Sequence, residues 1–290
     1  MRILLAIDAS EASEAVLEEV AARPWPAGAS IQVVNAVELA HPYVLGAPVV
    51  EVVQENAKLL TGRAADRLRS AGMEAEGVVL QGDPRTAIVD HAGLWRADLI
   101  IVGAHGAGAL ERFLLGSVSR AVLRHAGCSV EVVRAPVPAG AGYRVLLAVD
   151  GSEGSARAAK AIASLPWPPE TEVRVLSAVE LQLGFFRAAF EIPALDPSHL
   201  EPQREQAMQR SQQAVRGALE VLEEAGLKTS ESISVLSEPP KQIIVEEAAE
   251  WNAGLIVLGS HGRRGVDRLL LGSTSEAVAA HAGCSVRVVR

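Results

Sequence analysis

The chain has 290 residues, too many for one core of ordinary size and suited to two, since domains typically run ~100–150 residues. Almost half of the residues (49%) are hydrophobic and 21% are charged, a composition that excludes disorder and supplies apolar surface for two cores. The net charge is −8, and dividing the count near residue 139 leaves −4 in each half (12 basic against 16 acidic, then 15 against 19), so neither half has the basic excess of a nucleic-acid binder.

The opening MRILLAID turns acidic within eight residues, and no apolar run approaches the ~20 residues of a spanning helix. No signal peptide or membrane anchor is therefore expected, and the expected location is cytoplasmic. Short β-branched runs then alternate with amphipathic stretches. Arg2–Asp8 reads as a strand, 11–22 as a helix, Ser30–Val37 as a strand, and roughly 50–71 as a helix that Gly72 stops. Ala75–Leu80 is the next strand, and Asp83-Pro84 opens a helix over 84–95 with an acidic cap followed by proline. The strand Asp98–Gly103, a helix over 117–125 and the strand Ser129–Arg134 complete the first half. This β-α-β-α-β-α-β-α-β order predicts an α/β fold with a parallel sheet and helices on both faces. Strands that are apolar nearly throughout agree with a sheet covered on both sides.

The same pattern is then repeated. Residues 2–39 match 144–181 at 17 of 38 positions, and 97–134 match 253–290 at 23 of 38. A period near 150 is too long for a solenoid unit, so two copies of one domain are expected, 1–138 and 143–290. Residues 139–142 join them, within the linker-like stretch APVPAGAG from Ala135 to Gly142. The two alignments differ in offset by 14, which places extra residues of the second copy mostly between Leu181 and His199, where Phe185, Phe186 and Phe190 cluster. That cluster reads either as a satellite core or as a lid, dimer contact or partner surface. Cys128 and Cys284 stand in HAGCSVEVVR and HAGCSVRVVR, a domain apart and without a CxxC, and read as small buried hydrophobes. The pairs Trp25/Trp167 and Trp95/Trp251 read as packing. The terminal strands VEVVR and VRVVR are candidates for edge pairing between the two domains, and further homodimerisation of whole chains is left open.

In a doubly wound sheet, ligands bind beyond the carboxyl ends of the strands where the winding reverses. The first strand ends in Asp8, or Asp150 in the second copy, which reads as a ribose or Mg²⁺ ligand or as a cap of the next helix through Ser10 or Ser152. The fourth strand ends in Gly103-Ala-His-Gly106, then nine residues, then Gly116-Ser117-Val118-Ser119. The second copy has Gly259-Ser-His-Gly262, nine residues, and Gly272-Ser273-Thr274-Ser275. Glycines allow close backbone approach, and a helix opening on Gly-Ser-x-Ser presents backbone N–H groups and the positive end of its dipole, which suits a phosphate. His105 and His261 read either as residues that bond their own turn or as acid–base or phosphate contacts.

The Gly-x-x-Gly, nine residues, Gly-Ser pattern, with an AxDxS end to the first strand, a GDP turn and a final HAxCxVxVV strand, resembles the universal stress protein family over nearly all of both halves. The resemblance implies two tandem Rossmann-like, doubly wound domains, each a five-stranded parallel sheet of order 3-2-1-4-5, in the branch that binds ATP. Carried over residue by residue, it implies that Ala6, Ile7 and Asp8, with Ala148, Val149 and Asp150, hold the ribose and the adenine edge. Ala36 and Ala178 would lie against adenine. Gly103, Gly106, Gly116, Ser117, Val118 and Ser119, with Gly259, Gly262, Gly272, Ser273, Thr274 and Ser275, would hold the phosphates. The copies depart from each other at Gly82-Asp83-Pro84 against Glu238-Pro239-Pro240, and at Arg263, Arg264 and Arg268 against Arg112 and Arg120. Two sites of unequal ATP affinity are therefore expected. The chain lacks a GxxxxGK[ST] loop and a lysine near the phosphates, which favours an ATP-binding regulatory module over a slow Mg²⁺-dependent ATP hydrolase or phosphotransferase. A nucleotide-free dimerisation scaffold is the third reading.

Overall fold

Alternation along a strand sends successive side chains to opposite faces of its sheet, and apolar residues at both sets of positions call for helices on both sides. In the computed structural model the first half runs β1 (Arg2–Ala6), α1 (Glu11–Ala22), β2 (Ser30–Val37), α2 (Ala47–Ser70), β3 (Glu74–Gln81), α3 (Pro84–Trp95), β4 (Leu99–Gly103), α4 (Ser117–His125) and β5 (Ser129–Val133). The second half runs β6 (Arg144–Ala148), α5 (Glu153–Ala163), β7 (Glu172–Glu180), α6 (Glu201–Glu224), β8 (Lys228–Leu236), α7 (Pro240–Glu250), β9 (Leu255–Gly259), α8 (Ser273–His281) and β10 (Ser285–Val289). The structure describes residues 1–38, 47–106, 115–134, 142–180, 201–236, 239–262 and 271–290. The aromatic cluster Phe185, Phe186 and Phe190, the linker residues 139–141, Glu238 and the loop arginines Arg112, Arg263, Arg264 and Arg268 lie outside the described residues.

Local chemistry sets the element ends. Asp83 Oδ1 accepts from Arg85 N at 2.9 Å and Pro84 is the first residue of α3, as the Asp-Pro signal predicts. β1 stops at Ala6, two residues short of the expected end. Ile7 N still donates to Val34 O at 2.9 Å, but Asp8 N turns away to Ser13 Oγ at 2.8 Å, so the acid belongs to the turn and not to the ladder.

The strands form one sheet of ten, in the order β3-β2-β1-β4-β5-β10-β9-β6-β7-β8. Neighbours within each half are parallel, and β5 and β10 are antiparallel, with Val130 opposite Val288, Glu131 opposite Arg287 and Val132 opposite Val286. Two five-stranded sheets were expected; in the structure they are joined edge to edge. On one face a single core crosses this seam, in which Leu4, Ile100, Val130 and Val132 pack with Ile88 of α3 and Val122 of α4. It continues through Leu146, Ile256, Val286 and Val288 to Ile244 of α7 and Val278 of α8. On the other face two cores stay separate, one under α1 and α2 (Ile3, Leu5, Val16, Leu68) and one under α5 and α6 (Val145, Leu147, Ile162, Leu222).

A buried charged cluster fills the gap between those two cores. Glu131 is 0% exposed and Arg287 2%. Arg23, just past α1, donates to both Glu131 oxygens, Nη1 to Oε2 at 3.0 Å and Nη2 to Oε1 at 2.7 Å, and also pairs with Glu19. Arg287 Nε donates to Glu131 Oε2 at 2.7 Å, and Arg23 Nη2 donates to Tyr143 Oη at 3.1 Å. The Arg23 guanidinium lies 5.3, 5.4 and 6.0 Å from the ring centres of Trp25, Tyr143 and Trp167. Both of these tryptophans are anchored alike, Trp25 Nε1 to Val20 O and Trp167 Nε1 to Ile162 O, each at 2.9 Å, which makes them packing residues.

Two reciprocal contacts complete the seam. Arg134 Nη2 donates to Ala279 O and Ala280 O at 2.7 and 3.1 Å near the end of α8, and Arg290 Nη2 donates to Leu123 O and Arg124 O at 2.8 and 3.0 Å near the end of α4. Each half thus places a cation at the negative end of a helix in the other. Cys128 and Cys284 are half-buried, and burial pushes both thiols up to about 11, in keeping with a packing role. No helix among the described residues is long and apolar enough to cross a membrane.

Burial by itself would raise the Glu131 carboxyl, but Arg23 and Arg287 outweigh it and hold the group at about 2, against an ordinary 4.5. A carboxylate lowered in the folded state stabilises the fold above its unfolded pKa and loses that contribution as pH falls towards the folded value, here between 4.5 and about 2. Over that window Glu131 accounts for roughly 3 kcal/mol of acid sensitivity. Glu131→Gln, less stable than wild type at pH 7, will show a shallower further loss across the same window in urea melts.

Candidate functional site

β1 and β4 lie side by side, and the chain leaves their carboxyl ends towards opposite faces, to α1 and to α4. This opens a crevice at the top of each half-sheet. In the first repeat Asp8 stands at its centre. Its Oδ1 accepts from Ser10 N at 3.1 Å, from Ser13 Oγ at 2.8 Å and from Ser10 Oγ. The expected cap through Ser10 is present, and Ser10 in turn accepts from Ser13 N at the start of α1. The other oxygen, Oδ2, faces the glycine loop, where a Cβ on Gly106 would lie 2.8 Å away. Only glycine lets the loop approach the acid this closely.

The loop closes on itself through three further contacts. Ala104 N donates to Val133 O at 2.9 Å, Gly116 N to Ala104 O at 2.8 Å, and Ser119 Oγ to Gly103 O at 2.6 Å. Gly116 caps α4 without a side-chain hydrogen bond, leaving the first-turn N–H groups of α4 aimed at the crevice beside the exposed Ser117. The second repeat reproduces the arrangement. Ser260 N donates to Val289 O at 2.8 Å, Gly272 N to Ser260 O at 2.7 Å and Ser275 Oγ to Gly259 O at 2.7 Å, and a Cβ on Gly262 would lie 2.8 Å from Asp150 Oδ2.

The structure therefore brings Asp8, Gly103, Gly106, Gly116 and Ser117 together, and likewise Asp150, Gly259, Gly262, Gly272 and Ser273. Val118 and Thr274 follow in the first helical turn, half-buried. Ser119 and Ser275 are both buried, and their hydroxyls donate to Gly103 O and Gly259 O, fastening the helix to the end of the strand. Ala6, Ala36, Ala148 and Ala178 are half-buried against the shared core, while Ile7 and Val149 are buried on the opposite face. Asn35 was not foreseen. Its Nδ2 donates to Ile7 O at 2.8 Å and fixes the strand end from which Asp8 projects. An amide one residue before an expected ligand position, following the apolar pair Val33-Val34, is the signal that marks it.

The repeats are not identical here. At the start of the first helix Ala12 corresponds to Gly154. A Cβ on Gly103 would meet the Ala12 Cβ at 3.1 Å, whereas one on Gly259 would meet the Gly154 backbone carbon at 2.5 Å. Without the methyl group, the second loop settles onto the helix. Ser152 Oγ there donates to His261 O at 3.3 Å, Ser155 Oγ to Ser152 O at 2.9 Å, and Asp150 Oδ1 accepts from Ser152 N at 3.0 Å. His261 Nδ1 lies 3.0 Å from Ser260 Oγ, and desolvation together with Arg290 and Arg157 lowers its pKa. Beside Asp150 a 410 Å³ cavity opens between α5 and α6, with Ala156, Ala159 and Gly217 along its wall and Lys160 and Arg210 among its cations. In the first repeat Glu14 and Glu18, at the positions equivalent to Ala156 and Lys160, pair with Arg67.

The sequence model of the Universal stress protein family matches residues 1–134 and again 143–290. The chain belongs to the universal stress protein family. A universal stress protein of Mycolicibacterium smegmatis is 31% identical over 271 residues, covering 92% of this chain and 82% of that protein. Another, of Mycobacterium tuberculosis, is 33% identical over 197 residues, covering 67% of this chain and 62% of that longer protein. A crystal structure of a universal stress protein from Archaeoglobus fulgidus aligns with a TM-score of 0.67 at 24% identity, covering 100% of this chain and 96% of that one, and shows the shared tandem fold.

The unequal approach of the two universal stress protein loops has a measurable outcome. Gly259→Ala places a methyl group 2.5 Å from backbone and will cost about 3 kcal/mol, whereas Gly103→Ala meets the Ala12 Cβ at 3.1 Å, which a shift of a few tenths of an ångström relieves, and will cost about 1 kcal/mol. Urea denaturation of the two variants beside wild type gives the comparison.

Proposed function

We propose that each repeat binds ATP and that the protein acts as a nucleotide-responsive regulatory module. The observation that carries this reading is the convergence, in both repeats, of an acid at the end of β1 or β6, a glycine whose Cβ would crowd that acid, and a helix N-terminus without a side-chain cap. Backbone N–H groups at the start of α4 and α8, with Ser117 and Ser273, are suited to phosphate oxygens. Asp8 Oδ2 and Asp150 Oδ2 face the same space and suit either a ribose hydroxyl or Mg²⁺, which takes few carboxylates and completes its shell with phosphate and water. Ala36 and Ala178 present small apolar surface at the ends of β2 and β7, where a flat base can lie. The magnesium ion would supply charge neutralisation at the phosphates; the chain's own part is to bind and orient. An acidic chain can do this because local dipoles, and not net charge, meet the anion.

Membership of the family supports the reading, as does the recurrence of one geometry in two half-chains. The antiparallel contact of β5 with β10 supports a second element of the proposal, that in solution one chain pairs its own two repeats and so carries both sites on one body.

Isothermal titration with ATP and Mg²⁺ tests this. Wild type will bind two nucleotides with different affinities. Gly116→Ala and Gly272→Ala, which put a methyl group 3.3 Å from Ala104 O and 2.9 Å from Ser260 O, will each remove one site. Absence of binding heat in wild type, or equal residual binding in the two variants, would count against two unequal sites. Phosphate release followed over the same titration separates binding from turnover.

A further inference from the structure

The β5 and β10 segments are copies of one sequence, SVEVVR and SVRVVR, that differ at one position, Glu131 against Arg287. The antiparallel register places that one difference at its own centre. Val130 faces Val288 and Val132 faces Val286, so the local two-fold relation between the repeats passes between Glu131 and Arg287. Any residue on such an axis meets its own counterpart. If the first edge paired with a second copy of itself in the same register, Glu131 would meet Glu131, and if the second edge did so, Arg287 would meet Arg287.

The surroundings are as one-sided as the pair. The first repeat contributes Glu19 and Arg23, and the equivalent positions of the second, 142 residues on, are Ala161 and Leu165. The observed seam therefore gathers two carboxylates and two guanidiniums with Glu131 and Arg287 sealed from solvent. A first–first seam would hold four carboxylates and two guanidiniums. A second–second seam would bury two guanidiniums with no carboxylate from the equivalent positions. Buried charges are tolerated only when paired, so both alternatives are penalised.

We propose that Glu131 and Arg287 make the two edges mutually selective, so that each accepts the other and rejects a copy of itself. This surface fits a partner edge of the same apolar pattern bearing the opposite charge at the central residue. Such a device prevents the like-with-like association between chains that two nearly identical apolar edges would otherwise allow. The proposal rests on the intrachain pairing put forward above, and the mass of wild type tests that pairing separately.

The experiment uses the full chain in three forms, Glu131→Arg, Arg287→Glu and the double exchange, with native mass spectrometry and thermal melting. Wild type at the mass of one chain upholds the intrachain pairing; a wild-type dimer overturns it without touching the charge rule. Each single variant will melt about 10 °C below wild type, because like charges then meet in a sealed seam. The double exchange restores opposite charges across the axis and will recover at least half of that loss, although Arg23 then adjoins the new arginine. When the two single variants are unfolded together and refolded as an equimolar mixture, the basic first edge of one will find the acidic second edge of the other. A complex of one chain of each, absent from either variant alone, is the expected result. If the single variants do not fold alone, the same complex recovered on co-expression carries the result. A double exchange no more stable than the single variants, or a mixture that gives no mixed complex, overturns the proposal.

Discussion

Glu131 sits where two half-sheets meet, accepting from Arg23 on one side and Arg287 on the other, with no solvent to share the charge. Taking two carboxylates, Glu131 and Glu19, and two guanidiniums out of water costs several kcal/mol per ion before any contact is made, and only near-complete pairing offsets it. Three guanidinium N–H groups donating to the two Glu131 oxygens, with the ion pair of Arg23 and Glu19 beside them, meet that requirement. A slip of one residue between β5 and β10 would turn Val130 and Val132 towards this cluster and Glu131 into the apolar core on the other face. The charged pair thus enforces the register on which the shared core and the arginine contacts to α4 and α8 depend.

The two crevices show how little sequence change alters a site built mainly of backbone. Exchange of Ala12 for Gly154 removes one methyl group, lets the glycine loop descend onto the helix, and moves serine hydroxyls from the acid to main-chain carbonyls. The Ser10 and Ser152 amides donate alike to Asp8 and Asp150, and in the first repeat the hydroxyls of Ser10 and Ser13 donate to Asp8 as well. The same motif therefore presents its acid differently in the two repeats.

Most of the fold was legible because its signals are local. Ser10 and Asp83-Pro84 announce α1 and α3 from within a few residues, and β-branched runs such as Ser30–Val37 have no competing reading. The tandem repeat and the crevice residues were legible for the same reason, since glycine spacing is a local pattern and it occurs twice. What was not legible depends on contacts between distant residues. Glu131 and Arg287 look like ordinary polar interruptions of an apolar strand until the antiparallel register sets them face to face across 156 positions. Arg23, beside the PWP tryptophan, gives no sign that it will be buried against a strand 108 residues away. The motif shows a hydroxyl at Ser119 and Ser275, and only the packed helix shows that it donates to Gly103 O or Gly259 O.

α4 and α8 are nine residues each, about 13 Å long, and each joins the two regions of interest. The amino end of α4 belongs to the crevice of its own repeat, and its carboxyl end is held by Arg290 of the other; α8 stands in the same relation to Arg134. Neither helix is long enough to be stable from its own hydrogen bonds. Their protection against hydrogen exchange is consequently a property of the joined pair of repeats, and any opening of the seam frays both crevices together instead of one at a time.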